Sequence, residues 1–550
     1  MLNLNKHLCF TLLVHMSVAI FVFADPPKPT RENVPMVDGI HLATDVYLPG
    51  KGDEKYPTIL ILTPYGRSGG KGIADKFVPQ GYAVVSQDIR GRGDSEGSNV
   101  VIFQAGGWAD KRDGHSTLDW INKQPWSNGK VATWGGSAVG ITQNMLAPEA
   151  PAVLKAQYVE VAASNLYTQC MYGGGAVRKN MIEGWLAATN MTKGNLQTFR
   201  DHPAYDEFWD TLNPEAVADR TIAPGIFVGG WYDIFCQGTI NSFVTMQAKG
   251  GPLVRGNCRL IMGPWAHGTF SELKYPENSN QRPPAADFKR YVDFHLKGEA
   301  NGVDKDAPVH YYVMGDPDTP NAPGNIWRSA DSWPPAAKMT SFHFHADGGL
   351  KTAAPSEEDK KEYDYDPKNP VPTMGGQNLS LDKGPRDQRK VEGRKDVLVF
   401  TTDELSEPLE VTGQIKATLY VSSDAPDTDF TVKLSDVYPD GRSMLLSDGI
   451  LRARYRESFR KPEFMKPGEV YPIEVDLWST SIIFNKGHRI RVVVSSSNFP
   501  RFDANPNTGK NYWEGGEKRV AHNTVYLSSK HPSHIIFPVI DKAAETAKSE

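Results

Sequence analysis

Short runs dense in apolar residues interrupt the polar background over 57–63, 82–88, 130–134, 225–230 and 259–263. Helix-compatible stretches and Gly-rich turns separate them. Runs of this length, apolar without alternation, predict parallel strands covered on both faces, and hence an α/β core. The rhythm breaks between about Pro148 and Thr221, where Met181, Trp185, Met191, Phe199 and Phe208 recur at helical spacing among charged residues. This predicts a helical cap, 148–221, inserted over the sheet's C-terminal edge, so that 25–147 and 222–334 form the core. After about Pro334 the period changes to two. The stretches 341–345, 413–420 and 488–494 alternate apolar and polar positions between Asp, Pro and Gly turns, which predicts an antiparallel sandwich over 335–550. The charge-dense stretch 356–366 reads as a solvated loop. His343 and His345 share one face of a strand without a third ligand nearby in sequence, so a strand surface is expected and no metal site.

The chain starts differently. Lys6 and His7 precede an apolar stretch, 8–23, that leads through Ala24 into Asp25-Pro26-Pro27. That order of charge, apolar core and small residue predicts a secretory signal over 1–24, removed near Ala24. The stretch is short of the ~20 residues that span a bilayer, and no later one is apolar enough to do so. The mature protein is therefore expected to be exported, periplasmic or extracellular, with no membrane contact. Three cysteines would remain, Cys170, Cys236 and Cys258; they allow one bridge at most and read as buried small hydrophobes.

Composition narrows the class further. At 550 residues the chain has room for two to four domains of about 100–200 residues. Its 12 Trp, 21 Tyr and 23 Phe exclude a disordered solvating chain. A formal charge of -5 without a basic block gives no footprint for nucleic acid. Self-association into a homo-oligomer is compatible with the pattern, which does not fix it.

The sharpest local feature is Gly135-Gly136-Ser137-Ala138-Val139-Gly140, directly after the third apolar run. A serine held in a tight strand-to-helix turn needs small neighbours, and the helix that follows offers its free N–H groups to a developing negative charge. An inert serine in a Gly-rich turn is the plainer reading. A serine hydroxyl becomes nucleophilic only beside a base oriented by an acid. Both candidates follow in the expected order at strand ends: Asp233 after the run ending at Gly230, and His267 after the run ending at Gly263. Tyr65 follows the first run, where a second oxyanion donor beside the Ala138 N–H is expected. The segment Asp88-Ile89-Arg90-Gly91-Arg92-Gly93 lacks the Lys-Ser/Thr of a phosphate loop and reads as structural, with Asp88 or Arg90 paired internally. Asp427 and Asp429 read as turn formers.

These motifs, with Pro64-Tyr65, Gly93-Asp94-Ser95-Glu96-Gly97, Gln124-Pro125-Trp126, Gly230-Trp231-Tyr232-Asp233 and Gly263-Pro264-Trp265-Ala266-His267, resemble the CocE/NonD hydrolases, relatives of the Xaa-Pro dipeptidyl-peptidases. Asp427-Thr428-Asp429-Phe430, Gly487-His488-Arg489 and Ser497-Asn498-Phe499-Pro500 extend the resemblance through the C-terminal part. It implies an α/β-hydrolase core, an inserted helical cap and a C-terminal jelly-roll sandwich. It also implies a Ser137–His267–Asp233 triad with Tyr65 and Ala138 as oxyanion donors, and no cofactor or metal. The family commonly has Tyr after the nucleophile; here Ala138 reshapes that wall. The amino-ester branch carries acids two and three positions after the catalytic Asp, where this chain has Phe235 and Cys236. Phe235 instead resembles the aromatic wall of the acyl pocket in the cocaine esterase branch, a core phenylalanine being the other reading, and Trp231 is a second pocket candidate. The expected reaction is hydrolysis of a small-molecule carboxylic ester, with an acylase or dipeptidyl-peptidase acting on amides as the alternative and a carbohydrate-binding protein as a remoter one.

Overall fold

The computed structural model describes residues 28–270 and 272–541; the signal expected over 1–24 lies outside them. A ten-stranded mixed sheet organises the first part of the chain. In spatial order it contains β1 (Thr30–Pro35), β2 (His41–Tyr47), β4 (Ala83–Asp88), β3 (Tyr56–Thr63), β5 (Ser127–Gly136), β6 (Leu154–Glu160), β9 (Gly225–Tyr232), β10 (Arg259–Ala266), β11 (Val309–Val313) and β12 (Ile326–Ala330). The strands from β4 to β11 are parallel, while β1, β2 and β12 run antiparallel at the edges.

The central strands carry runs of apolar residues because both faces are covered. Ile59, Ile61 and Val84 pack under α1 (Lys71–Phe77) and α8 (Phe288–Val292), while Leu60, Leu62 and Val85 point the other way, against α2 (Asp113–Lys123) and α3 (Ala138–Leu146). Neighbours on one strand thus feed opposite cores. The chain leaves β3 to one side for β4, then crosses back over β3 to form β5 on its other side. A crevice opens at such a reversal beyond the strands' C-terminal ends.

One boundary expectation needs correcting. The segment 148–221 is not wholly helical: β6 lies inside it, paired with β5 and β9 as a full member of the sheet. Two of its polar side chains find acceptors inside the fold, Gln157 Nε2 donating to the Ala223 carbonyl (3.1 Å) and the Tyr158 hydroxyl to that of Ala286 (2.8 Å). The cap proper follows it. It comprises a short ribbon of β7 (Tyr172–Gly173) and β8 (Ala176–Val177), then α4 (Lys179–Ala188), α5 (Thr192–Asp201) and α6 (Glu207–Asp210), before β9 and α7 (Cys236–Lys249) resume the core.

The C-terminal part contains two antiparallel sheets. One holds β13 (Lys338–Phe344), β14 (Leu350–Lys351), β15 (Lys360–Tyr365), β17 (Leu409–Ser423), β20 (Tyr471–Phe484), β22 (Ala521–Tyr526) and β23 (His534–Val539); the other holds β16 (Leu398–Thr401), β18 (Asp429–Val437), β19 (Ser443–Arg452) and β21 (Arg489–Ser495). Phe344 of the first stacks on Phe400 of the second at 4.6 Å, so the two faces share a core. The stretch 356–366 is only partly loop: Lys360–Tyr365 forms an edge strand whose charges face water while Tyr363 and Tyr365 are buried. Asp427 and Asp429 are buried ion-pair partners of Arg454 and Arg452, a role beyond turn formation. Among the described residues no helix is long and apolar enough to cross a membrane. Nor does any group of three His, Cys, Asp or Glu there have the geometry to hold a metal ion.

Candidate active site

Strand β5 ends at Gly136 and α3 begins at Ala138, leaving Ser137 alone in the turn with φ 57 and ψ -127. A non-glycine residue at positive φ is strained, and the flanking glycines make the turn possible. Gly135 has φ +149, and a Cβ there would fall 2.2 Å from Val139 Cγ1; one on Gly140 would fall 2.8 Å from the Glu160 carbonyl oxygen. The Gly-x-Ser-x-x-Gly spacing follows from those two contacts. Ala138 opens the helix, so its N–H has no carbonyl one turn earlier to bond.

Asp233 follows β9 and His267 follows β10, neighbours in the sheet, so both side chains arrive beside Ser137. The Asp233 carboxylate is fully buried; one oxygen accepts from the Phe235 N–H at 2.7 Å and the other from His267 Nδ1 at 2.7 Å. With Nδ1 as donor, His267 Nε2 accepts from the Ser137 hydroxyl at 3.0 Å. Phe235 stands edge-on to the imidazole, ring centres 5.9 Å apart, and lines the pocket beside Ser137.

Tyr65, in the loop after β3, has an exposed ring, but its hydroxyl lies beneath the cap, where it accepts from Trp185 Nε1 at 3.0 Å. Desolvation there holds the phenol above its ordinary pKa; hydrogen bonds with Trp185 and Ser137 offset part of the rise. The loop is tied down by the motif after β4. Arg67 pairs with Asp45 (2.9 Å), Asp88 (2.8 Å) and Asp94 (2.9 Å), and Arg92 donates to the carbonyls of Pro64 (3.0 Å) and Thr189 (2.9 Å). Arg90 pairs internally with Asp113 and Asp38. The arginines of the Asp88–Arg92 stretch are thus engaged by internal partners, and Arg92 ties the Tyr65 loop to the cap.

Five parts of the chain wall the pocket: Phe103, the elbow residues Ala138 and Ile141, the cap residues Met181 and Trp185, Phe235 after β9, and Leu379 from the loop before β16. Its lining is apolar and its free space about 20 Å³, room for one water. Lys383, in the same loop as Leu379, donates to the His267 carbonyl at 2.9 Å. Trp231 is not in the pocket. Its indole donates to the Tyr312 carbonyl at 2.8 Å and stacks on Trp333 at 5.5 Å, because strand β9 sends it into the core between the sheet and the C-terminal part. Trp185, Leu379 and Lys383 had no signal of their own in the sequence; Trp185 was visible only as a member of the cap's apolar spacing.

Comparison with known proteins agrees with this architecture. Residues 38–197 and 193–269 match the family model of the X-Pro dipeptidyl-peptidase (S15 family), and 301–536 that of the X-Pro dipeptidyl-peptidase C-terminal non-catalytic domain. The chain is 34% identical to the cocaine esterase of Rhodococcus sp. (strain MB1 Bresler), over 92% of this chain and 98% of that protein. An aminopeptidase from the marine sediment archaeon Thaumarchaeota archaeon superposes with a TM-score of 0.80 at 26% identity, covering 94% of this chain and 97% of its own. An α-amino acid ester hydrolase superposes with a TM-score of 0.79 at 26% identity, covering 96% of this chain and 100% of its own. An α/β-hydrolase core joined to a C-terminal β-sheet domain, with this breadth of sequence similarity, makes the chain a serine hydrolase of esters or peptides: it belongs to the CocE/NonD hydrolases of the X-Pro dipeptidyl-peptidase S15 family.

Proposed function

We propose that the protein is an exported carboxylic ester hydrolase working through an acyl-enzyme on Ser137. The observation that carries this reading is the continuous path from Ser137 Oγ through His267, 3.0 Å and 2.7 Å, to the buried Asp233. His267 Nε2 takes the hydroxyl proton as Ser137 Oγ bonds to the substrate carbonyl carbon. The negative charge that develops on the carbonyl oxygen faces the Ala138 N–H and the Tyr65 hydroxyl. Collapse breaks the ester C–O bond, His267 protonates the leaving alcohol, and water repeats the sequence to release the acid. Trp185 donates to the Tyr65 oxygen, so the phenolic proton points towards Ser137, from which it can turn to the oxyanion as that charge develops.

The apolar pocket favours an apolar acyl group. Phe235 and Cys236 occupy the positions that would otherwise offer carboxylates to a substrate ammonium, and both are buried. An aromatic acyl group requires side chains of the wall, such as the flexible Met181, to move aside. The likeness to an aminopeptidase keeps amide hydrolysis as the second reading. Fluorophosphonate labelling of wild type and Ser137→Ala tests the nucleophile: labelling confined to wild type supports it, and equal labelling of both defeats it. Turnover of phenylacetyl and benzoyl esters against aminoacyl and dipeptidyl-proline amides separates the two readings. Export rests on the leader pattern alone, and N-terminal sequencing of protein from the culture fluid or periplasm, starting near Asp25, tests it.

A further inference from the structure

A second cavity, of about 380 Å³, lies where the β7–β8 ribbon of the cap meets β19 and β20. The Arg452 N–H donates to the Gly174 carbonyl at 2.8 Å, joining ribbon to sheet at its edge. The cavity is separate from the acyl pocket, although one stretch of chain serves both: Cys170 and Met181 face Ser137, whereas Gly174 and Arg178 face the second space.

The charges around it are incompletely matched. Arg178 is 2% exposed, yet among the described residues no carboxylate pairs with it; its terminal nitrogens donate to the carbonyls of Gln169 and Ile234. Burial, with Arg501 close by, lowers its pKa to about 9. Arg501 spends its terminal nitrogens on Asp448 and Gln377, while its buried Nε has no partner. Towards β20 stands Asp476. Its oxygens accept from the Trp478 N–H (2.8 Å) and from Gln414 (2.9 Å), and among the described residues no cation forms an ion pair with it. Burial raises its pKa to about 6. The Trp478 ring bridges these groups, its centre 5.4 Å from the Arg178 guanidinium carbon.

A buried charge without a counter-charge costs several kcal/mol, and a ligand that supplies the counter-charge recovers that cost as affinity. Here a buried cation and a half-buried carboxylate, neither in an ion pair among the described residues, line the same space with an aromatic face between them; the other charges at its wall are paired, Arg456 with Glu457 and Glu474 with Lys416. We propose that this cavity binds a small zwitterion, its carboxylate at Arg178 and Arg501, its ammonium at Asp476 and its carbon chain against Trp478. A simple anion would leave Asp476 unmatched, and a simple cation would leave Arg178 so.

Calorimetric titration of the mature protein with the ω-amino acids from glycine to 6-aminohexanoate tests this, with butyrate and butylammonium as single-charge controls. The expected result is saturable binding of at least one member with a Kd of ~1 mM or tighter, weakened about tenfold or more by Asp476→Asn and by Trp478→Ala. Ser137→Ala is expected to bind the same member unchanged, which separates this site from the catalytic one whatever the fate of the esterase reading. Absence of saturation across the series overturns the proposal. So does either control binding as tightly as the best zwitterion, or insensitivity to both substitutions at β20. Arg178→Lys adds a check at the other end where that variant folds.

Discussion

At the scale of single residues, the candidate chemistry depends on where two protons are held. On the proposed mechanism Asp233 fixes the proton of His267 on Nδ1, so Asp233→Asn is expected to leave the fold intact and lower kcat by about four orders of magnitude. Circular dichroism and ester turnover measured on one preparation check both halves; a near-normal rate would assign the role to another acid. On the same proposed mechanism Tyr65 acts on charge that exists only in the transition state. Tyr65→Phe is therefore expected to lower kcat by about 10²–10³ with KM little changed. The cysteines are the contrasting case. Burial pushes the thiols of Cys170 and Cys258 up to about 12 and raises that of Cys236 as well. None of the three is in a disulfide, and the thiolate is the reactive form. A thiol reagent such as DTNB at pH 8 is expected to find all three silent in the native protein and reactive once urea unfolds it; prompt native reaction would refute their burial.

At the scale of elements, the turn from β5 to α3 is where backbone geometry and chemistry coincide. A Cβ at Gly140 would lie 2.8 Å from the Ala162 Cβ and from the Glu160 carbonyl oxygen. Alanine would gain about 1 kcal/mol of helix propensity, but overpacking costs about 1–3 kcal/mol. Gly140→Ala is thus expected to shift the urea midpoint downwards and to depress kcat by displacing Ser137. This element was legible in the sequence because its glycines, its serine and its preceding apolar run lie together in the chain. The same holds for β3, β4, β9 and β10, whose apolar runs follow from burial on both faces. Strand β6 was not legible. Lys155, Gln157 and Glu160 interrupt it, and only the tertiary partners of Gln157 and Tyr158 make those polar groups tolerable inside a sheet. Lys360–Tyr365 hid for a related reason: an edge strand with one wet face carries the charge density of a loop. Trp231 misled because proximity in sequence to Asp233 says nothing about which side of β9 a side chain takes.

At the scale of the whole molecule, the pocket at Ser137 exists only where core, cap and C-terminal part meet. Its tightness makes acyl preference a property of the cap. Met181→Ala is expected to raise kcat/KM for benzoyl esters relative to acetyl esters by about tenfold, roughly the value of burying one or two further methylene groups. A parallel change for both substrates would remove Met181 from the pocket. The contact between Lys383 and the His267 carbonyl, 116 residues apart in sequence, has a further consequence. A chimera that joins this catalytic half to the β-sheet half of a relative imports a foreign loop against its own candidate general base, along with a foreign side chain at the Leu379 position. Such hybrids should fold as two sound halves and yet hydrolyse poorly until that one loop is matched to its new neighbour. The halves of this enzyme are thus expected to have diversified in step, with substrate range drifting only as fast as the seam between them allows.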